Sequence, residues 1–331
     1  SEGVLSLKEG LSRPGISFLI RCTREGRILS RKLLSSSILV KERMSYEGVD
    51  AILCDDKPHP RSKDLQILWD IASAFETKRI ENGAIQFSRR DLIPEIKSSG
   101  KIKLIPNNDE TPARKLISEF MIIANETAAL FAQSNNLPFI YRTQEAPECD
   151  IEASALHVSE GPAREFFKRG LLKRSRTSIH SGPHSGLGLA AYCQVTSPIR
   201  RALDLILVRQ LEHYISNNEI FYSNEELEKH LEELTPGLDE ANIVQRERNR
   251  FWLLKYIEQE KFKSFSGTVV RAEPPRPLVE IDDLCMVFPF LPLKPLQENK
   301  KNEILGKRVS LVIERLDPNQ DKMYLSEITP Q

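Results

Sequence analysis

Residues 192–211 read Y-C-Q-V-T-S-P-I-R-R-A-L-D-L-I-L-V-R-Q-L, a pattern with few structural solutions. Ile199, Ala202, Leu203, Ile206, Leu207, Leu211 and Tyr214 recur at intervals of three, four and seven, which makes one buried stripe of a helix. Thr196 or Ser197 fits the cap, and Pro198 fits the first turn, where its missing N–H costs nothing. Arg200 and Arg201 then follow at once, and two readings stay open. The free N–H groups, the positive dipole end and the two guanidinium groups form an anion seat suited to phosphate. Alternatively this is a capped helix with solvated arginines, Arg200 pairing with Asp204 one turn on for a few tenths of a kcal/mol.

A chain of 331 residues has room for two domains and a substantial core. Its 47 Lys plus Arg balance 47 Asp plus Glu, so no global basic field advertises a polyanionic partner. The local distribution is less even: Arg164, Lys168, Arg169, Lys173, Arg174 and Arg176 crowd one run against Glu165. Such a run is a solvated face or the wall of a polyanion channel. Five cysteines without a C-x-x-C pair and six histidines without ligand spacing predict reduced thiols, no zinc site and an intracellular protein, cytoplasmic or in an organelle matrix. No apolar run approaches ~20 residues, so no membrane span is expected.

Along the chain, residues 16–23 and 27–43 are strand-like around a turn at Glu25 and Gly26, and residues 63–79 have helical spacing. Tyr46 falls at a strand-to-helix corner, and Phe87 in a short strand whose default place is the core. A long helix is predicted from Pro112, with Thr111 as cap, to about Ser134. Its stripe carries Glu119 and Asn125. A buried carboxylate needs a partner, either an arginine or the hydroxyls of a ribose. Two further helices are expected at 224–234 and 238–261. Beyond Phe262 short strands in about 65 residues suggest a small β-barrel, in which Phe288 and Phe290 are either core residues or aromatic contacts for bases.

The wording of three segments adds a resemblance. T-S-P-I-R-R, preceded by Y-x-Q-x and followed by x-x-D-L, resembles the signature of the ribonuclease II (RNB) family catalytic domain. P-H-S-G-L-G-L-A-A at 183–191 is similar to the run that leads into it, and S-E-F-M-I-I-A-N-E-T-A at 118–128 is similar to the family's E-F-M-x-x-A-N helix. The segment M-S-Y-E-G-V-D at 44–50 and the ending of S1-type OB folds, G-K-R-V-S-L-V-I-E-R-L-D-P-N-Q-D at 306–321, resemble the family too. There are departures: Ala202 stands where relatives usually have Tyr, and Ser118 where they often have a second acid.

The resemblance implies an α+β fold, with the C-terminal portion of a catalytic domain over residues 1–262 and an S1-type OB-fold RNA-binding barrel over 263–331. It implies 3′-to-5′ hydrolysis of single-stranded RNA to nucleoside 5′-monophosphates with Mg2+. Arg200 and Tyr46 would be catalytic, and Phe87, Glu119, Arg201, Ser118, Thr196 and Ser197 would contact RNA. The family's aspartate cluster for magnesium is not found; Asp55 with Asp56, and Asp282 with Asp283, stand in other contexts. The expectation is therefore a site incomplete in this chain, completed by an N-terminal segment or a second chain. The alternatives are a non-catalytic RNA-binding relative and a structural docking protein.

Overall fold

The computed structural model describes residues 6–54, 59–86, 92–106, 111–273, 276–294 and 304–329. In chain order its elements are β1 (Ser12–Cys22), β2 (Ile28–Leu39), α1 (Tyr46–Cys54), α2 (Ser62–Glu81), β3 (Leu92–Ile96), β4 (Ile102–Pro106) and α3 (Pro112–Ser134). There follow β5 (Tyr141–Thr143), α4 (Ile151–Ala155), α5 (Pro162–Leu171), β6 (Arg176–Ser178), α6 (Ala202–Asn217) and α7 (Asn224–Glu260). Strands β7 (Ser264–Arg271), β8 (Leu278–Ile281), β9 (Met286–Leu291), β10 (Arg308–Asp317) and β11 (Lys322–Ile328) complete an α+β chain.

Two compact units form, and they are not successive lengths of chain. The first takes Ser1–Gln86, Asp109–Ala146 and Lys173–Gly237; the second takes Phe87–Asn108, Pro147–Leu172 and Leu238–Gln331. The strands after Phe262 share their unit with two earlier segments of the chain.

In the first unit α3 is the spine. Ala128, Ala129 and Ala132 are buried against Leu137, Phe139, Tyr141, Ala191, Cys193 and Val195, and α6 adds Leu207 and Leu211. Methyl-sized side chains on this face let other backbone approach the helix closely, and deleting or adding volume there would be felt. The antiparallel hairpin β1–β2 lays Ile16, Phe18 and Leu33 on the same core. Its turn needs a left-handed residue, supplied by Gly26 at φ +72°.

Helix α3 begins where the sequence places it, with Thr111 extended and Pro112 at its first position. The cap itself is different. The Thr111 hydroxyl is buried without a hydrogen-bond partner, and the backbone N–H of Ala113 donates instead to Asp50 Oδ1 of α1 at 2.8 Å.

Helix α7 runs unbroken where two helices were expected. Ser223 and Glu226 form a capping box at its start, with Ser223 N–H to Glu226 Oε2 at 2.8 Å and Glu226 N–H to Ser223 Oγ at 3.3 Å. Pro236 stays inside the helix. Its surroundings are exposed, so the carbonyl that loses its N–H partner can turn to water.

In the second unit the strands close into a barrel in the order β10-β11-β9-β8-β7, antiparallel throughout except for β9 beside β11. Phe288 and Phe290 are 0% and 2% exposed, so their expected alternative as base contacts is replaced by core packing. Both lie on the inward parity of β9, and Leu253, Leu254 and Ile257 of α7 join the same cluster.

Candidate nucleic-acid interface

The path from Tyr192 to Arg201 is held from several sides before it reaches the arginines. Asn125, buried on α3, donates from Nδ2 to the Tyr192 hydroxyl at 3.2 Å, and its Oδ1 accepts from Val195 N–H at 2.9 Å. The Cys193 thiol donates to the Asn125 carbonyl at 3.1 Å, and burial pushes that thiol far above its ordinary range, so it is not a nucleophile. Arg142 donates its backbone N–H to Tyr192 O at 2.9 Å and its guanidinium to Gln194 Oε1 and Ser175 Oγ.

Past Val195 the chain departs from the predicted capped start. Residues 197–200 form a turn, with the N–H groups of Arg200 and Arg201 donating to Ser197 O at 3.2 and 3.0 Å, and helix α6 opens only at Ala202. Thr196 and Ser197 are not its caps. Thr196 Oγ1 is buried without a partner, while Ser197 donates its backbone N–H to Asp204 Oδ2 at 2.8 Å. The shift has a cause in Asp204, which is 1% exposed and sits in the first helical turn, where its charge favours the dipole end. The helix start therefore carries its own carboxylate, which holds the Ser197 N–H at the head of the turn.

The two arginines divide. Arg201 Nη2 donates to Asp204 Oδ2 at 2.7 Å, so the partner of Asp204 is Arg201 and not Arg200. Burial pushes the Asp204 carboxyl above its ordinary range, against the lowering effect of the Ser197 amide and Arg201. Arg200 is exposed, and among the described residues its side chain is steadied by Nη2 to Ser197 Oγ at 3.3 Å. A cation on a rigid turn with its charge facing solvent is available to a phosphate.

The preceding run P-H-S-G-L-G-L-A-A makes a tight turn against the end of α2. A Cβ at Gly188, which has φ +66°, would collide with the Arg79 carbonyl, and one at Gly186 with the Gln144 side chain. His184 is buried, with its Nδ1 unpartnered and its ring edge-on to Tyr192 at 5.4 Å between centroids. Burial, with Arg142 nearby, lowers its pKa below the usual histidine range.

Glu119 has the arginine partner that was one of its two expected options. Arg79 donates from Nε to Glu119 Oε2 at 3.0 Å and from Nη2 to Oε1, while its Nη1 reaches Leu187 O at 3.2 Å. The neighbouring Ser118 is exposed. Tyr46 opens α1, is 40% exposed, and lies under the Arg114 guanidinium at 4.6 Å. Among the described residues no hydrogen bond joins it to Arg200. Phe87 lies outside the described residues, as do Asp55 and Asp56.

Sequence reasoning missed Arg79, yet a signal was there. Leu65, Ala72 and Phe75 are the buried face of α2, and Arg79 follows at the same spacing, so an arginine on an apolar stripe announced a buried acid. The basic run shrinks in the fold: Arg164 bonds Glu160 and Val158 O, and Lys168 is buried against Glu152 at 2.8 Å.

Magnesium demands hard oxygen ligands, mostly carboxylates. Among the described residues no group of three or more His, Cys, Asp or Glu side chains could hold a metal ion, and Glu119 and Asp204 are both committed to arginines. These residues do not fit a magnesium site. Among them, too, no helix is long and apolar enough to cross a membrane.

The RNB domain pattern matches residues 1–217, and the chain belongs to the RNB family. It is 27% identical to an uncharacterized ribonuclease of Synechocystis sp. over 98% of this chain and 48% of that protein. It is 32% identical to ribonuclease R of Thermotoga maritima over 69% of this chain and 37% of that one. The chain thus spans about half, or less, of the length of these curated relatives. Its fold matches Mycoplasma genitalium RNase R in complex with ribose methylated single-stranded RNA at a TM-score of 0.84, with 19% identity over 99% of this chain and 60% of that one.

Proposed function

We propose that this chain forms the RNA-holding portion of a ribonuclease II type exoribonuclease that shortens single-stranded RNA from its 3′ end and releases nucleoside 5′-monophosphates. The observation that carries the reading is Arg200, the exposed cation left on a rigid turn once Arg201 is taken by Asp204. A phosphodiester gains negative charge on its non-bridging oxygens as water attacks, and a fixed guanidinium stabilises that charge without reorganising. Tyr46 offers a half-exposed ring beside the cleaved nucleotide, and the family resemblance gives Phe87 the stacking contact with a base near the RNA 3′ end, a contact that accepts any base. Thr196, Ser197 and Arg201 belong to the turn that carries Arg200 and, with Glu119 and Ser118 of α3, are the further RNA contacts on this reading.

Magnesium would supply the ionised water and neutralise the leaving oxygen. No group of ligands for it stands among the described residues; on this reading its carboxylates lie outside them, on a further segment or a second chain. The same observation favours a second reading, an RNA-binding relative that does not hydrolyse. The free cysteines suit a reducing compartment, cytoplasm or organelle matrix.

The test is binding and cleavage of a 3′-labelled single-stranded RNA with magnesium, then manganese, by this chain and its Arg200→Ala variant. The expected result is salt-dependent binding, weakened by Arg200→Ala with a salt slope smaller by about 1. Binding without mononucleotide release supports the non-hydrolysing reading for the isolated chain. Release that Arg200→Ala abolishes supports the nuclease. Absence of any binding rejects both in favour of a docking role.

A further inference from the structure

In the first unit a cavity of about 610 Å³ opens where the end of α3, the loop before β5, the loop after β6 and the first residue of α7 come together. That volume suits a small organic molecule. No Lys, Arg, Asp or Glu is among the described residues that line it, and Arg200 is not among them either. We infer that this cavity is a binding site for an uncharged nucleobase, carried by a free nucleoside or by a nucleotide of bound RNA.

The polar groups of the walls are uncommitted. Among the described residues the side chains of Gln133, Asn136, His180, Ser181 and Asn224 make no hydrogen bond. Ser134 and Asn135, which do not line the cavity, are satisfied within α3 through Leu130 O and Phe131 O, both at 2.8 Å. Each carboxamide offers a donor and an acceptor, the pattern that the edge of a base requires, and Asn or Gln can meet adenine through its N6 and N7 together. A phosphate finds no cation here, and any charged ligand would lose its water without a counter-charge. Tyr141 adds no charge, since burial pushes its hydroxyl up to about 12.

The walls are fixed before any ligand arrives. Gln210, 0% exposed, donates from Nε2 to Pro138 O at 2.9 Å and to Tyr222 O at 3.0 Å, and its Oε1 accepts the Tyr222 N–H at 2.8 Å. One buried amide thus joins the Pro138 wall to the start of α7. Pairing of Tyr141 with Ser178 joins the same stretch to the loop of His180 and Ser181. At the end of α3 Asn136 turns through φ +50°, and the Leu137 N–H returns to Ala132 O at 2.9 Å. The floor is apolar: Pro138 and Ile179 are half-buried, and Phe139 and Tyr141 are buried. An apolar floor suits the face of a flat ring, and prearranged walls lose little freedom on binding it.

The test is calorimetric titration of the whole chain with adenosine, adenosine 5′-monophosphate and ribose 5-phosphate in turn, at low and at high salt. One-to-one binding of adenosine is expected, no tighter for the monophosphate, absent for ribose 5-phosphate and insensitive to salt. It should weaken by about tenfold or more in the Gln133→Ala, Asn224→Ala double variant, whose two side chains are exposed, and stay unchanged in Arg200→Ala. No saturable binding of adenosine, binding indifferent to the double variant, or binding that requires the phosphate overturns the inference. So does binding lost in Arg200→Ala, which would assign the ligand to the arginine turn. Shifts of the His180 ring protons on adding adenosine to the unaltered protein should locate the base in the cavity without a variant, and an unshifted ring would place it elsewhere. Competition by a short single-stranded RNA identifies the base as one of bound RNA, and binding without competition identifies a free nucleoside. The site does not rest on the nuclease reading, because RNA binding by Arg200→Ala reports that reading separately.

Discussion

Asn125 Oδ1 accepts the backbone N–H of Val195 at 2.9 Å, which fixes the approach to the arginine turn from the middle of α3. The same amide donates to the Tyr192 hydroxyl, so one buried side chain satisfies two points of the incoming chain.

Replacing Asn125 with Ala leaves the Val195 N–H and the Tyr192 hydroxyl buried without this partner. A loss of about 1–3 kcal/mol per stranded group is expected. Urea unfolding should show the midpoint falling while the slope is kept, and an unchanged midpoint would remove Asn125 from this role.

Arg79 and Glu119 form a largely buried pair, their side chains 15% and 8% exposed. Glu119→Ala strands a buried guanidinium and should cost about 3–5 kcal/mol, whereas replacing both residues with apolar ones of similar volume should recover much of that loss. A double-variant thermal cycle with purely additive effects would contradict the coupling. Because Arg79 also holds Leu187 O, RNA affinity should fall in Arg79→Ala beyond what Ser118→Ala produces.

His184 supplies a pH dependence with a definite sign. Its folded pKa lies below the usual histidine range because of burial, then Arg142, so the unfolded chain takes up the proton first. Stability from this group is complete above about pH 6.5 and is lost as pH falls through that value toward the depressed folded pKa. Melting temperature should therefore drop between about pH 7 and 5 more steeply for the unaltered chain than for His184→Gln. Parallel profiles would count against it.

Arg201→Ala and Arg200→Ala should behave as opposites. The first leaves Asp204 buried with the Ser197 amide, so melting temperature should fall, by about 1–3 kcal/mol in stability for a lost charged hydrogen bond. The second touches an exposed side chain and should leave melting within about 0.5 kcal/mol while RNA affinity falls. Equal melting of both variants would show that the division between them is wrong.

Much of the fold was legible because its signals are local. The start of α3 at Pro112, the β1–β2 hairpin around Gly26 and the barrel strands all follow from spacing and turn residues within a few positions. What escaped was settled at a distance. Asp50 caps a helix that begins more than 60 residues later, and Arg79 meets Glu119 across 40 positions, a pairing that no window of sequence displays. Asp204 is the instructive case in the candidate site. Its spacing allowed either arginine, and the turn at Ser197, which places Arg201 toward the buried carboxylate, decided between them. Phe290 escaped for a simpler reason, since an aromatic in a short strand reads the same whether it faces in or out.

The Asp50 cap has a mechanical consequence. Asp50 lies one turn beyond Tyr46 on α1, and its carboxylate holds Ala113 while the adjoining Arg114 covers the Tyr46 ring. Two bonds of different kinds thus bolt the first turn of α3 to α1, and hinging between the helices would break both. An aromatic ring fastened in this way keeps a constant height above the helix that carries Glu119 and Asn125, so under the proposed function it would meet every arriving chain end at the same level.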